Sequence, residues 1–167
     1  MNETNNGAAM LTEETRNTID HWVAKFPEDK KRSALIQSLI AAQEQNGGWI
    51  TAELTEAVAE YLELPPVWAH EVVSFYSMFF TEPVGRHKVN ICTNISCWLN
   101  GAEDLVAHAA QTLVVTLGGP TGDGRITLVR EEECLAGCCG APMAVVDGHY
   151  KENLDIEKLD ALLDGLE

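Results

Sequence analysis

The sequence has few basic residues compared with its acidic ones. Only 11 Lys and Arg residues stand against 26 Asp and Glu residues, which gives a formal net charge of −15. Because nucleic acid and anionic lipid repel so acidic a chain, we expect neither as a partner. No apolar run approaches the length of a bilayer span, so the sequence predicts no direct membrane insertion. The first residues carry neither a basic region nor an apolar stretch, which argues against a secretory signal.

The chain has five cysteines, and their arrangement is informative. Four of the five cysteines form two close pairs, Cys92-x4-Cys97 and Cys134-x3-Cys138. Four thiolates from two loops are the ligand set of an iron–sulfur cluster or of a structural zinc. Zinc knuckles mostly use C-x2-C pairs, whereas wider loops can surround a flat Fe2S2 core and direct backbone N–H groups at its sulfurs. The spacing favours iron–sulfur, and zinc is the alternative; disulfides do not suit a chain without a secretory signal.

The second cysteine loop contains two further features. Gly137 and Gly140 would let the backbone pass close to a bulky inorganic core without Cβ clashes. Cys139 is the odd thiol, and because neighbouring residues cannot easily face one small site, we interpret it as a buried apolar residue. The competing interpretation is that Cys139, and not Cys138, is the ligand.

The first half of the chain predicts helices only. After a disordered N-terminus at residues 1–10, residues 11–85 show apolar positions at three- and four-residue spacing, which is typical of a small helical bundle. The predicted helices start after Thr12, near Lys30, after Thr51 and at Pro66.

The second half, residues 86–167, changes to a mixed pattern. Asp147-Gly148 between two apolar stretches is a strong hairpin signal. The order β-α-β-ββ-α is that of a thioredoxin-like domain, so the fold class is α+β. The predicted strands cover residues 88–91, 125–130, 143–146 and 149–150, and the predicted helices cover residues 99–113 and 154–166.

The cysteine motifs carry a family resemblance. ICTNISCWLNG at residues 91–101 and ECLAGCCGAPM at residues 133–143, with QNGGWI at residues 45–50, resemble the NuoE-type [2Fe–2S] subunit of NADH:quinone oxidoreductase, respiratory complex I. Two departures are visible: Ala136-Gly137 where the family commonly has Gly-Ala, and a cysteine at position 139. The resemblance implies an N-terminal helical bundle followed by a thioredoxin-like [2Fe–2S] ferredoxin domain. It also implies that iron is bound by Cys92, Cys97, Cys134 and Cys138.

The same resemblance implies a role in electron transfer without catalytic residues on this chain. The [2Fe–2S] cluster would lie beside the FMN of a flavin- and NADH-binding partner subunit, and the large iron–sulfur subunit would be a second partner. The complex would be cytoplasmic and peripheral to the inner face of the cell membrane. The glycines at 118, 119, 122 and 124 do not form G-x-G-x-x-G, so FMN and NADH are expected on the partner and not here.

Other functions share part of this pattern. The equivalent subunit of a soluble NAD-linked hydrogenase or formate dehydrogenase would carry the same motifs, and a zinc-stabilised adaptor would have no redox role. A thioredoxin-like oxidoreductase is excluded because no C-x-x-C opens a helix.

Several residues beside the motifs have simpler explanations. His87, His108 and His149 are expected at the surface or at caps, since all four ligand positions are filled by cysteine. The run Glu131-Glu132-Glu133 directly before Cys134 is interpreted as solvated, yet negative enough to disfavour reduction of a nearby cluster.

Overall fold

The computed structural model describes residues 10–167, which form two compact units. The first ends at Pro83 and the second spans Val84–Glu167. The predicted disordered segment, residues 1–10, lies outside the described residues except for Met10. None of the helices in the described part of the chain is long and apolar enough to cross a membrane.

The first unit is helical, as predicted. Thr12 caps its first helix by accepting a hydrogen bond from the Thr15 amide at 3.2 Å, and Thr51 caps another through the Leu54 amide at 3.1 Å. Ile19, Leu39 and Val58 are fully buried in its core. Among the residues that the structure describes, the α-helices of this unit are α1 (Glu13–Val23), α2 (Leu35–Gln45), α3 (Ala52–Tyr61) and α4 (Pro66–Phe75).

The predicted start of the second helix near Lys30 is wrong. Glu28–Ala34 forms a 3-10 helix instead, and the α-helix begins only at Leu35. Lys30 has a non-helical backbone (φ −121°, ψ 27°), which interrupts the i to i+4 hydrogen bonding that an α-helix needs.

The second unit contains a four-stranded mixed sheet of β1 (His87–Cys92), β2 (Ile126–Glu131), β3 (Ala144–Val146) and β4 (His149–Lys151), which lie in the order β2-β1-β3-β4. β1 and β2 are parallel, whereas β1–β3 and β3–β4 are antiparallel. The α-helices of this unit are α5 (Ile95–Leu99), α6 (Ala102–Leu113) and α7 (Ile156–Asp164). The hairpin predicted at Asp147-Gly148 is confirmed, with φ of 50° and 81° at its two turn residues.

The core of this unit lies between the sheet and two helices. α6 packs against β1 and β2, and α7 packs against α6. Ile91, Leu128 and Leu159 are fully buried there. The α+β fold class predicted from the sequence is confirmed.

The helix predicted at residues 99–113 is α6, which begins only at Ala102, and the short helix α5 before it was not predicted. Gly101, with a left-handed backbone (φ 86°), is the N-cap of α6 and separates this helix from α5. The periodicity of residues 102–113 concealed the short α5, and its signal was Asn94, whose side chain caps the helix by accepting from the Ile95 amide.

Candidate metal centre

Parallel pairing of β1 and β2 brings both cysteine loops to the same edge of the sheet. Cys92, the last residue of β1, lies opposite Glu131, the last residue of β2. The chain after β1 turns into α5, which contains Cys97, and the chain after β2 runs directly into Cys134. Because the strands run in the same direction, their carboxyl ends and the loops that follow meet there.

The first pair is buried. Cys92 and Cys97 are each only 2% exposed. The Cys92 amide donates to the Met143 carbonyl at 3.1 Å, which ties this loop to the segment before β3. Burial raises the pKa of the Cys97 thiol to about 11, a hydrogen bond from the Met143 main chain opposes the rise, and the neighbouring Cys92 thiol adds to it.

The second pair is exposed. The Sγ atoms of Cys134 and Cys138 are 3.3 Å apart, and both thiols are free. The Ala136 amide donates to Cys134 Sγ at 3.4 Å and thereby lowers the pKa of that thiol. The hydrogen bond with Cys134 raises the pKa of Cys138, and a hydrogen bond from Ser96 opposes that rise.

The two pairs also interact with each other. Ser96, which lies on α5 beside Cys97, hydrogen-bonds Cys138 of the second loop. Cys138 also interacts electrostatically with Cys92 and with Cys97. The structure therefore brings all four predicted site residues into one neighbourhood, held by backbone donors and a serine hydroxyl. Their role as iron ligands stays a prediction.

The donor set of this neighbourhood is sulfur only. Four free thiols in two close pairs are the ligands that a [2Fe–2S] core takes, with two sulfurs for each iron. Within residues 10–167, no group of three or more His, Cys, Asp and Glu side chains is placed to hold a single metal ion. The residues present fit a cluster by their chemistry and by their pairwise arrangement.

The sequence predicts a buried apolar residue at Cys139. This interpretation is wrong, because the Cys139 side chain is exposed. It lies in the 3-10 turn Cys138–Gly140 at the surface of the unit. A one-turn element at the surface exposes consecutive side chains, so adjacency to Cys138 did not imply burial.

Packing within the chain restricts the two glycines of the second loop to different degrees. A Cβ on Gly140 would lie 2.5 Å from Glu152 Cβ, and one on Gly137 would lie 2.8 Å from Met143 Cε. Glu152 Cβ therefore accounts for Gly140, whereas the flexible end of Met143 could move aside at Gly137, so close approach to an inorganic core stays a prediction there.

The acidic run before Cys134 is only partly solvated. Glu131 is buried, and its side chain accepts the Glu133 amide at 3.1 Å. Glu132 pairs with Arg130, which also binds Glu103 at 2.7 Å. The hydrogen bond from Arg130 lowers the pKa of Glu103. Sequence reasoning missed Arg130, although its i, i+2 spacing from Glu132 places both on one face of an extended segment.

Two of the three histidines considered, His87 and His108, lie beside carboxylates. His87 Nδ1 lies 2.7 Å from Asp147 Oδ2, and His108 Nε2 lies 2.6 Å from Asp160 Oδ1. His149 is exposed on β4.

Comparison with known proteins identifies the family. The model of the thioredoxin-like [2Fe–2S] ferredoxins matches residues 19–167. The chain belongs to this family. The resemblance predicted from the two cysteine motifs is confirmed, and so is the thioredoxin-like architecture of the second unit.

Curated members of the family are similar over most of their length. The NADH-quinone oxidoreductase E subunit of Rickettsia bellii (strain RML369-C) is 39% identical over 144 residues, which cover 86% of this chain and 86% of that protein. The NADH-quinone oxidoreductase E 2 subunit of Rhizobium meliloti (strain 1021) is 40% identical over 149 residues, which cover 89% of this chain and 86% of that protein.

A solved structure extends the comparison to another kind of enzyme. An air-oxidised NAD+-reducing [NiFe]-hydrogenase matches 75% of this chain with a TM-score of 0.61 and 26% sequence identity. This chain spans only 22% of that hydrogenase chain. The shared fold therefore occurs as one part of a larger protein there.

Proposed function

We propose that this chain is the electron-transfer subunit of an NADH:quinone oxidoreductase, and that Cys92, Cys97, Cys134 and Cys138 bind one [2Fe–2S] cluster. The observation that carries the proposal is the meeting of two cysteine pairs at one sheet edge. It occurs in a chain that is 39% identical to the Rickettsia bellii relative over 86% of that protein's length. A [2Fe–2S] cluster supplies one-electron redox chemistry.

The chain's own residues prepare the site for thiolate ligands. Cluster binding requires deprotonated thiols, so the raised pKa of Cys97 implies that a proton leaves this buried group on binding. The amide of Ala136 and the main chain of Met143 donate toward thiol sulfurs and stabilise their anionic forms. Burial of Cys92 and Cys97 keeps water from one side of the site.

We also infer what the chain leaves to its partners. FMN and NADH belong to a flavin- and NADH-binding partner subunit, because no G-x-G-x-x-G motif is found in this sequence. A large iron–sulfur subunit of the same complex is the second partner. The assembled complex lies on the cytoplasmic side, peripheral to the inner face of the cell membrane. Residues 11–85 form the helical domain and residues 86–167 the cluster domain.

The similarity to an NAD+-reducing [NiFe]-hydrogenase supports a second candidate. In that case the chain would be the equivalent subunit of a soluble NAD-linked enzyme with the same cluster. The neighbouring genes distinguish these two candidates, because subunits of one complex are commonly encoded together. Genes for membrane subunits of a quinone reductase would favour the NADH:quinone oxidoreductase, and genes for hydrogenase subunits would favour the soluble NAD-linked enzyme.

Metal analysis of anaerobically purified full-length protein tests the proposal. We expect about two irons and two inorganic sulfides per chain, with visible charge-transfer bands. Cys92→Ala, Cys97→Ala, Cys134→Ala and Cys138→Ala should each abolish these bands, and the control Cys139→Ala should keep them. Stoichiometric zinc without bands would refute the cluster. If C139A lost the visible bands and C138A kept them, Cys139 and not Cys138 would be the ligand.

A further inference from the structure

The short helix α5 presents its apolar side chains to solvent. Ile95, Trp98 and Leu99 are 71%, 57% and 71% exposed. Their i, i+3, i+4 spacing places them on one face of the helix, which is the pattern that normally marks the face packed on a core. Here the buried residue of the helix is Cys97, so the apolar face of α5, defined as Ile95, Trp98 and Leu99, has no cover within this unit.

This face adjoins the candidate metal centre. Cys97 lies in the same helix, and Ser96 bonds Cys138 of the second loop. Contiguous exposed apolar patches of this kind on small proteins are often functional. A protein that covers the face would also exclude water from the exposed Cys134 and Cys138 thiols.

Carboxylates flank both ends of the face. At the start of α5, the Asn94 side chain donates to the Glu132 carbonyl at 2.9 Å, which places Glu132 and Glu133 there. At its end, Gly101 accepts from the Asp104 amide at 3.2 Å, at the first turn of α6. Arg130 pairs with Glu103 and Glu132, so it neutralises only part of this acidic rim.

We propose that the apolar face of α5 is the docking surface for the flavin-bearing partner, which presents an apolar pocket rimmed by Lys and Arg. The inference rests on the proposed function and adds the surface that performs it. Electron tunnelling weakens steeply with distance, so a partner that exchanges electrons has to sit against the cysteine loops. The acidic rim attracts a basic partner. It disfavours a second copy of this chain, because the carboxylates of the two rims would repel each other.

The test is the affinity of the cluster-loaded full chain for the flavin- and NADH-binding subunit of the same cell, measured by calorimetry. Trp98→Ala should weaken binding by about 30-fold, because a buried tryptophan at an interface is typically worth about 2 kcal/mol or more. Leu99→Ala should weaken it less. The control is Val114→Ala, since Val114 is 88% exposed at the far end of α6, about 18 Å along that helix. V114A should bind like the original chain.

A charge variant tests the rim independently. Asp104→Asn should slow association and reduce its dependence on salt, with an unchanged visible spectrum. Iron content and melting temperature of every variant show that the fold and the site are intact.

The outcomes separate the two proposals. If the original chain fails to bind the flavin-bearing subunit, the proposed function is wrong. If it binds but W98A binds equally well, the docking surface is wrong and the function stands. If sedimentation shows that the chain alone is a dimer and W98A a monomer, the face is covered by a second copy and the inference is overturned.

Discussion

Arg130 binds Glu103 through a 2.7 Å hydrogen bond between Nη2 and Oε1, and this pair joins β2 to α6 beside the cysteine loops. The same guanidinium pairs with Glu132 through Nη1. The candidate centre is therefore surrounded by charges of both signs, although the chain as a whole carries −15. A cluster that gains an electron responds to each of these charges.

The midpoint potential should shift in opposite directions in two variants. Glu133→Gln removes a negative charge next to Cys134 and should raise the potential, whereas Arg130→Gln removes a positive charge and should lower it. One unit charge at about 8 Å and an effective dielectric near 20 is worth ~2 kcal/mol, or ~90 mV, before screening. We expect tens of millivolts in each direction, decreasing as salt rises.

An EPR-monitored redox titration at two ionic strengths measures both shifts. Two shifts of the same sign, or none, would mean that backbone hydrogen bonds to sulfur dominate the potential.

His87 should make the stability of the second unit depend on pH. Its Nδ1 lies 2.7 Å from Asp147 Oδ2 and its Nε2 lies 2.8 Å from the main-chain oxygen of Glu167. Two acceptors require two N–H donors, so the hydrogen bonds to Asp147 and then to Glu167 raise the pKa of His87. A raised pKa in the folded state contributes stability that is complete below the ordinary value of about 6.5 and is lost as pH rises through the folded value.

Comparison of variants isolates this contribution. The free energy of unfolding, measured in urea, should fall between about pH 6 and a pH above the pKa of His87 in the folded chain. This fall should be larger for the original chain than for His87→Gln. His149→Gln, at an exposed position on β4, should behave like the original chain. Parallel pH curves for the original chain and H87Q would contradict the prediction.

Ala136 should be improved by glycine. Its φ of 62° lies in the left-handed region, where an alanine is strained by roughly 1–2 kcal/mol and a glycine is not. After the greater backbone freedom of an unfolded glycine is subtracted, Ala136→Gly should raise the free energy of unfolding by about 0.5–1 kcal/mol. Urea denaturation of the full chain measures the gain.

The matched control is Ala107→Gly in the same unit, on the exposed side of α6. A glycine within a helix should lower stability by about 1 kcal/mol. A loss of stability in A136G as well would show that the loop gains nothing from relief of this strain. Position 136 has a positive φ, whereas Gly137 has a φ of −104°, so the backbone favours glycine at 136 more than at 137.

Much of this fold could be predicted because its signals are local. Thr12 and Thr51 cap helices as expected, since a side-chain cap needs only residues three positions away. The Asp147-Gly148 turn follows from two residues that tolerate positive φ. The cysteine spacings, C-x4-C and C-x3-C, indicated the site for the same reason, because each pair is close in sequence and its geometry depends on one short loop.

Long-range packing decided the rest. Parallel pairing of Cys92 with Glu131 brings together two loops about 40 positions apart, and no local pattern encodes that register. Gly85 has to be glycine because a Cβ would lie 2.8 Å from the backbone of Ile126 on β2. The exposure of Cys139 and the burial of Glu131 depend on what the folded chain places beside them. Neighbours in the chain were enough to specify the caps at Thr12 and Thr51, the turn and the spacing of the two cysteine pairs. Which of these residues meet and which face solvent was decided by distant segments, because those segments provide their surroundings.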